Sequence, residues 1–303
     1  MKQPLVSICI PAYEQTEYLQ KLLESLLVQT FTDFEVIVTD DSQSDAVAVL
    51  VEKYRPALDN KLQYIRNSPG LGSPQNWNKA IGLAQGQWIK LMHHDDWFTY
   101  PDSLQEFVTL TQQNPGKLSC SAILKYYPQQ DTYQVNYMNA EQKQLVEQMP
   151  ALLMLNCYIG LPSCTIYEKQ MAQDFDPKLV WMVDIEFYMR TLYQHPGLAY
   201  SNRPLITSAS YASHNITNEY IQGNPKELDE LFHIYTKLGT RLVPESRKKV
   251  LKRIGYKIIQ YRFGDIKLFK QTYPQTHFPW WIPTIIRVNR YSWLLAKILL
   301  KIV

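Results

Sequence analysis

Two rhythms of apolar residues alternate along the first third of the chain. Apolar runs of strand length occupy Leu5 to Ile10, Phe34 to Thr39, Leu62 to Ile65 and Trp88 to Met92. Between them apolar residues recur at helical spacing: Leu19, Leu22, Leu23, Leu26 and Leu27 within Glu14 to Gln29, then a helical pattern that follows Asp40-Asp41-Ser42 to about Tyr54. Strand side chains alternate faces while helical ones return about every 3.6 residues, so this alternation predicts βαβ units and a parallel sheet. Each fully buried leucine stabilises a fold by roughly 1.5–3 kcal/mol, so the leucine face of the first helix must pack on that sheet. After the loop Asn67 to Ser73, Ser73 as N-cap with Pro74 at the first helical position predicts a third helix, ended by Gly86.

The alternation then loosens. The pattern predicts a helix from Pro101 to about Gln113, strands over Leu118 to Tyr126 and Tyr133 to Met138, and a helix over Gln142 to Leu155. A loop entering a strand follows at Gly160 to Tyr167, then a helix at Asp184 to Tyr193. The α/β body therefore reads as parallel in its first half and mixed in its second. Beyond Asn224 only helical patterns remain, at Pro225 to Leu238, Pro244 to Tyr261 and Tyr291 to Val303. They divide the chain into an α/β domain, residues 1-218, and a helical extension, residues 219-303.

Charge separates the same two regions. The net charge is +3, yet from Arg241 to the end 14 Lys and Arg face only Glu245 and Asp265, which leaves the body acidic. A basic tail on an acidic body implies an anionic surface as partner, and no nucleic-acid recognition motif accompanies it, so the expected partners include no nucleic acid. The final segment is too short and too charged to span a bilayer. Phe278, Trp280, Trp281, Tyr291 and Trp293, interleaved with Arg287, Arg290, Lys297 and Lys301, suit helices lying in a membrane interface. The alternatives are docking on the protein's own core or on a second subunit of a homo-oligomer. The four cysteines form no CxxC pair and fit reduced thiols, and the N-terminus lacks a signal peptide's apolar core. The expected location is the cytoplasm, peripheral on the inner face of the membrane.

The chemistry concentrates in Leu91 to Phe98, where an apolar run ends in Asp95 and Asp96 directly after His93 and His94. Ligands of open α/β sheets collect at the carboxyl ends of strands, oxygen ligands suit a hard divalent ion, and such an ion suits phosphate. Alone, the stretch reads equally as a solvated turn. Two more acidic sites accompany it: Asp40 with Asp41 at the end of the second run, and Asp184 with Glu186 in a later helix.

With Val6-Ser-Ile-Cys-Ile-Pro-Ala-Tyr13, Gln29 to Ser42, and Asn76, Asn78, Ala80, Ile81 and Gly86, the His94-Asp-Asp-Trp97 stretch resembles the family 2 glycosyltransferases. The likeness is strong over about residues 4 to 115 and looser over 155 to 215. It implies an α/β fold of GT-A type, a Rossmann-like mixed sheet flanked by helices, here with a C-terminal helical extension. It also implies an inverting transferase that uses a nucleotide-sugar donor, a UDP-sugar by family frequency, and a glycan or lipid-linked acceptor.

The site residues follow from the same resemblance. Pro11, Ala12, Tyr13, Asp41, Asn76 and Asp95 match nucleotide-binding positions, and a carboxylate such as Asp41 can accept from a pyrimidine N3–H. Asp96 matches the principal ligand of a Mn2+ or Mg2+ ion, with His94 and His214 as further candidates toward the metal or diphosphate. Asp184 matches the base that deprotonates the acceptor hydroxyl, with Glu186 as its competitor, and Ser163 matches a position beside the acceptor. A sugar-nucleotide pyrophosphorylase needs a Gly-rich basic loop after the first strand, and Pro11-Ala-Tyr-Glu-Gln15 is not one. The non-enzymatic alternative is a degenerate family member that binds a nucleotide or a membrane, since His93 and His94 stand where many members carry an acid and a small residue.

Overall fold

The structure, a computed structural model, describes residues 3–210, 223–274 and 276–302. Four parallel strands, β1 (Val6–Ala12), β2 (Phe34–Asp40), β3 (Leu62–Arg66) and β4 (Trp88–Leu91), lie in the order β3-β2-β1-β4. Helices α1 (Glu17–Leu27), α2 (Ala46–Leu58) and α3 (Gln75–Leu83) connect them. The period of two explains the burial. Ile8, Ile10, Val36 and Val38 pack into a core with Leu19, Leu22, Leu23 and Leu26 of α1, whereas Cys9 and Ile37 face a second core containing Ala80 of α3. Leu27, expected on the packed face of α1, is 44 % exposed, because the stripe has turned past the sheet by its last residue.

The sheet continues through β5 (Asp96–Phe98), β6 (Leu118–Tyr127), β7 (Thr132–Asn136), β8 (Thr165–Glu168) and β9 (Leu198–Ala209), with α4 (Ser103–Gln113), α5 (Ala140–Gln148) and α6 (Val183–Gln194) between them. Its order beyond β4 is β8-β6-β9-β5, with β7 also on β6, and β8 runs antiparallel to both of its neighbours. The second half is thus mixed, as expected. β9 is an element the pattern hides, because Asn202-Arg203-Pro204 interrupts it and proline reads as a strand breaker. The structure absorbs the interruption as a register shift: Ser121 pairs with Ser201 and Ala122 with Pro204.

Other boundaries differ for local reasons. The third helix starts at Gln75 with Pro74 as its cap and no side-chain cap bond, so Ser73 is not the N-cap. It ends at Leu83 rather than at Gly86, whose added Cβ would lie 2.6 Å from the Ser7 backbone nitrogen. Close approach to β1, and not helix termination, accounts for that glycine. The helix expected over Gln142 to Leu155 splits into α5, closed by an Asn139–Gln142 capping box at its start, and a 3-10 turn at Pro150–Met154.

The extension comprises α7 (Lys226–Leu238), α8 (Pro244–Gln260), α9 (Ile266–Thr272), α10 (Trp281–Asn289) and α11 (Trp293–Ile302). The helical pattern gives no sign of the short helices α9 and α10. The expected division at residue 218 lies outside the described residues, and the helices of the extension do not form a core of their own. Leu228, Leu231 and Phe232 of α7 are buried in the same core as Phe187 and Met189 of α6. Among the described residues no helix is long and apolar enough to cross a membrane.

Candidate active site

The chain leaves β1 toward β2 on one side and returns to β4 on the other, so the loops after β1 and β4 emerge together at a topological switch point. His94 bridges them, its Nδ1 lying 3.2 Å from the Pro11 carbonyl oxygen. That contact ties Pro11 to the acidic stretch, while Tyr13 projects from the β1 loop 55 % exposed.

On the β2 side every acid is engaged. Asp40 Oδ1 accepts from the Ser42 amide at 2.8 Å and Oδ2 from the Tyr64 hydroxyl at 2.7 Å. Asp41 Oδ1 accepts from Asn67 Nδ2 at 2.6 Å and the Leu71 amide at 3.0 Å, and Oδ2 from the Gly72 amide at 2.7 Å. Gly72 has φ +74°, a conformation that favours glycine, and it turns the loop back onto this carboxylate. Asn76 is a brace: its amide donates to the Thr39 and Ala12 carbonyls at 3.1 and 3.4 Å and accepts from Asn67 at 2.9 Å. Glu14 similarly accepts from the Gln43 and Ser44 amides at 2.7 and 3.1 Å. These residues shape a loop wall beside Ala12 and Tyr13.

Asp95 and Asp96 present a different chemistry. Asp96 opens β5 and is 1 % exposed; neither of its carboxylate oxygens accepts a hydrogen bond of normal geometry, although the Ser163 and Ser208 hydroxyls lie near enough to favour the anion. Burial first and the Asp95 charge second push its carboxyl up to about 8, against a weaker opposing pull from Ser163, Ser208 and Lys90. His93 Nε2 is likewise buried without a partner, its ring lies 4.5 Å from that of Trp77, and burial pushes the imidazole down to about 4, which leaves it neutral. One ligand atom from each of His93, Asp95 and Asp96 lies within 4.8 Å of the others. Two carboxylates and a neutral imidazole form a donor set that fits Mn2+ or Mg2+. The histidine grouped with the acids is His93, whereas the sequence puts His94 forward, and His214 lies outside the described residues.

Behind this cluster stands a residue that sequence reasoning missed. Lys90 is fully buried, its ammonium donating to the Ser163 carbonyl and, at 3.2 Å, to the Thr165 carbonyl, and lying 4.2 Å from the Phe107 ring centroid. Ser163 Oγ in turn accepts from the His93 amide at 2.9 Å. Ser163 is therefore a buried brace with no exposure toward an acceptor. A lone lysine inside an apolar strand run is the only signal for this arrangement.

The segment from Cys157 to Cys164 leads from there to α6. Cys157 Sγ lies 3.5 Å from the Gly160 carbonyl oxygen and 3.9 Å from Asp184 Oδ2, and Tyr188 donates to the same Gly160 carbonyl at 3.1 Å. Asp184 sits in the first turn of α6, where the Ile185 amide donates to Oδ1 at 2.8 Å. Burial pushes its carboxyl up to about 6, against two backbone hydrogen bonds and the Cys157 thiol that favour the anion. Glu186 points the other way. It is fully buried, Arg190 donates to both oxygens at 2.9 Å, and Lys237 lies 3.0 Å away. Those partners remove Glu186 as an alternative base. The start of α6 is held by Glu230 of α7, which accepts from the Val180, Trp181 and Met182 amides at 2.9, 3.1 and 2.7 Å. The helical extension thus fixes the orientation of Asp184, a role that sequence spacing does not reveal.

Known proteins match this arrangement. The chain is 29 % identical over 207 residues to an uncharacterised protein of Mycobacterium tuberculosis, covering 63 % of this chain and 62 % of that one. It is 29 % identical over 175 residues to the poly(ribitol-phosphate) beta-N-acetylglucosaminyltransferase TarS of Staphylococcus aureus, covering 56 % of this chain and 28 % of TarS. It therefore spans less than two thirds of the length of these relatives. The crystal structure of S. aureus TarS 1-349 in complex with UDP-GlcNAc superposes with a TM-score of 0.63 at 20 % identity, over 97 % of this chain and 83 % of that one. That likeness identifies the fold as the GT-A type expected from the sequence. The model of the family described as Glycosyl transferase family 2 matches residues 7–175, more than half of the chain, a span that includes Pro11 to Asp96. With the switch-point crevice and the acids gathered there, this match establishes that the chain belongs to glycosyl transferase family 2.

Proposed function

We propose that the chain transfers a sugar from a UDP-sugar to a hydroxyl of a lipid-linked or surface-glycan acceptor, by a single metal-assisted displacement with inversion. The observation that carries this reading is Asp96, a buried carboxylate grouped with Asp95 and His93 whose oxygens accept no hydrogen bond of normal geometry, in a protein interior where such groups are almost always paired. A divalent cation resolves that deficit. Asp96, Asp95 and His93 would hold it, and it supplies positive charge against the nucleoside diphosphate as that group departs. Pro11, Ala12 and Tyr13 form the floor for the base and ribose, with Asp41 and Asn76 fixing the loop around them. The UDP-GlcNAc in the similar TarS structure supports the choice of donor.

Asp184 takes the proton from the acceptor hydroxyl as that oxygen attacks the anomeric carbon. Its raised proton affinity suits the role, because a base poised near neutral pH captures a proton better than an ordinary carboxylate. Glu230 and the Cys157 thiol hold it in place.

The test is a thermal-shift panel of nucleoside diphosphates and UDP-sugars with and without Mn2+, followed by UDP-sugar hydrolysis. A ligand at one hundred times its Kd stabilises by about 2.7 kcal/mol, enough to see. The expected result is a UDP shift that grows with Mn2+, together with slow metal-dependent hydrolysis. Nucleotide binding indifferent to Mn2+ and without hydrolysis would instead identify a degenerate, non-catalytic member.

A further inference from the structure

The last helix is apolar on two sides, and only one side is used. α10 and α11 form a hairpin seated on α8: Ile282, Ile285, Ile286, Ala296 and Leu300 are buried. The seat is close. A Cβ on Gly255 of α8 would lie 2.6 Å from Leu300 Cδ1, and Asn289 Nδ2 donates to the Ile258 and Phe263 carbonyls at 2.9 and 3.2 Å. On the opposite side of α11, Leu294, Leu295, Ile298 and Ile302 project at spacings i, i+1, i+4 and i+8, and are 46–76 % exposed. Tyr291 and Trp293 extend this outward face. An ordinary surface helix turns polar residues outward, so a helix apolar on both sides calls for a second apolar partner.

The charge around the face says which partner. From Ile266 onward the sequence contains no Asp or Glu and six Lys and Arg. Arg287, Arg290, Lys297 and Lys301 are exposed, and none forms an ion pair among the described residues. The Lys297 ammonium lies 3.6 Å from the Trp293 ring centroid, which places cation and indole at one level beside the apolar face. In a two-fold pairing of this face with a second copy, these cations would meet one another, with no acid nearby to relieve them. An anionic bilayer satisfies both features: acyl chains take the leucines and isoleucines, and lipid phosphates take the cations.

We propose that the α10–α11 hairpin docks the protein flat on an anionic membrane surface, with Leu294, Leu295, Ile298 and Ile302 inserted at the headgroup boundary. The surface is separate from the proposed transfer site, and its test does not depend on turnover. The full chain is co-sedimented with vesicles of phosphatidylglycerol and phosphatidylcholine, and with vesicles of phosphatidylcholine alone, alongside a Leu294→Ser/Ile298→Ser variant and a Lys297→Glu/Lys301→Glu variant. Each substituted side chain is exposed, so the melting temperature should stay unchanged. A cation at an anionic bilayer surface is worth about fivefold in partitioning, so each double variant should bind the anionic vesicles at least about tenfold more weakly. Binding to the mixed vesicles and not to the neutral ones supports the proposal. Absence of vesicle binding at low salt overturns it, as does equal binding to neutral vesicles or binding that survives both variants. A dimer in solution that dissociates in the Leu294→Ser/Ile298→Ser variant would also overturn it, assigning the face to a second copy.

Discussion

Two adjacent pairs of aspartates follow two parallel strands of one sheet, and the fold treats Asp40 and Asp41 differently from Asp96. Asp40 and Asp41, after β2, have each carboxylate oxygen accepting at least one hydrogen bond from the loop they organise. Where β5 opens after the turn that leaves β4, Asp96 is more deeply buried than Asp41, and neither oxygen accepts a hydrogen bond of normal geometry. Strand ends at a switch point gather acids, but the surrounding donors decide what each acid is for. Where backbone amides converge, the carboxylate builds a loop. Where a second carboxylate and a neutral imidazole converge, its proposed task is to hold a metal ion.

The largest way to sharpen this contrast is Asp96→Asn. Loss of the metal's charge stabilisation, several kcal/mol, should lower UDP-sugar turnover roughly a thousandfold or more. The metal-free variant should nonetheless melt no lower than the unaltered protein, because the neutral amide keeps the shape of the carboxyl without its buried charge. The pH dependence carries a sign. With its carboxyl pushed from 3.8 up to about 8 by folding, Asp96 binds its proton more tightly in the folded state. The metal-free protein should therefore lose stability relative to Asp96→Asn as pH rises across that window, measured by urea denaturation. A constant difference between the two would break the contrast.

Asp184→Asn comes next. Removing a general base should reduce turnover by roughly 10²–10⁴ while UDP binding, read by calorimetry, persists. In the unaltered enzyme turnover should rise with pH through about 6, as the carboxylate forms, and then level off, with that step absent from the variant. Asp41→Ala should act mainly through the loop. It removes one acceptor of the Asn67 amide, which also donates to Asn76, and the acceptor of the Leu71 and Gly72 N–H groups, each hydrogen bond contributing about 0.5–1.5 kcal/mol, so the melting temperature and UDP affinity should both fall. The smallest effect on turnover is expected from Glu186→Gln, within about twofold per folded molecule, since its carboxylate serves Arg190 and Lys237 and the proposed base is Asp184.

Much of this is legible in the residues. The apolar runs and leucine spacing locate β1 to β4 and α1 to α3 within a few positions, because local period and burial agree there. β9 is not legible, since its Asn202-Arg203-Pro204 bulge is tolerated only through pairing with β6, a partner far away in sequence. The same limit applies at the site. Asp96 and Asp184 stand out as acids in telling positions, but sequence does not distinguish an orphaned carboxylate from a satisfied one, nor separate Glu186 from Asp184. Lys90 and Glu230 act through carbonyls and amides of remote segments, so no spacing announces them. The two-sided apolar character of α11 is visible as composition, and becomes informative only once α8 is seen to take one side.

Mn2+ uptake in the presence of UDP, followed by electron paramagnetic resonance, probes the orphaned carboxylate most directly. The unaltered protein should remove free Mn2+ from solution in a UDP-dependent manner, and Asp96→Asn should leave it free at the same concentrations. Equal uptake by both proteins would contradict the assignment of Asp96 as the residue that holds the ion.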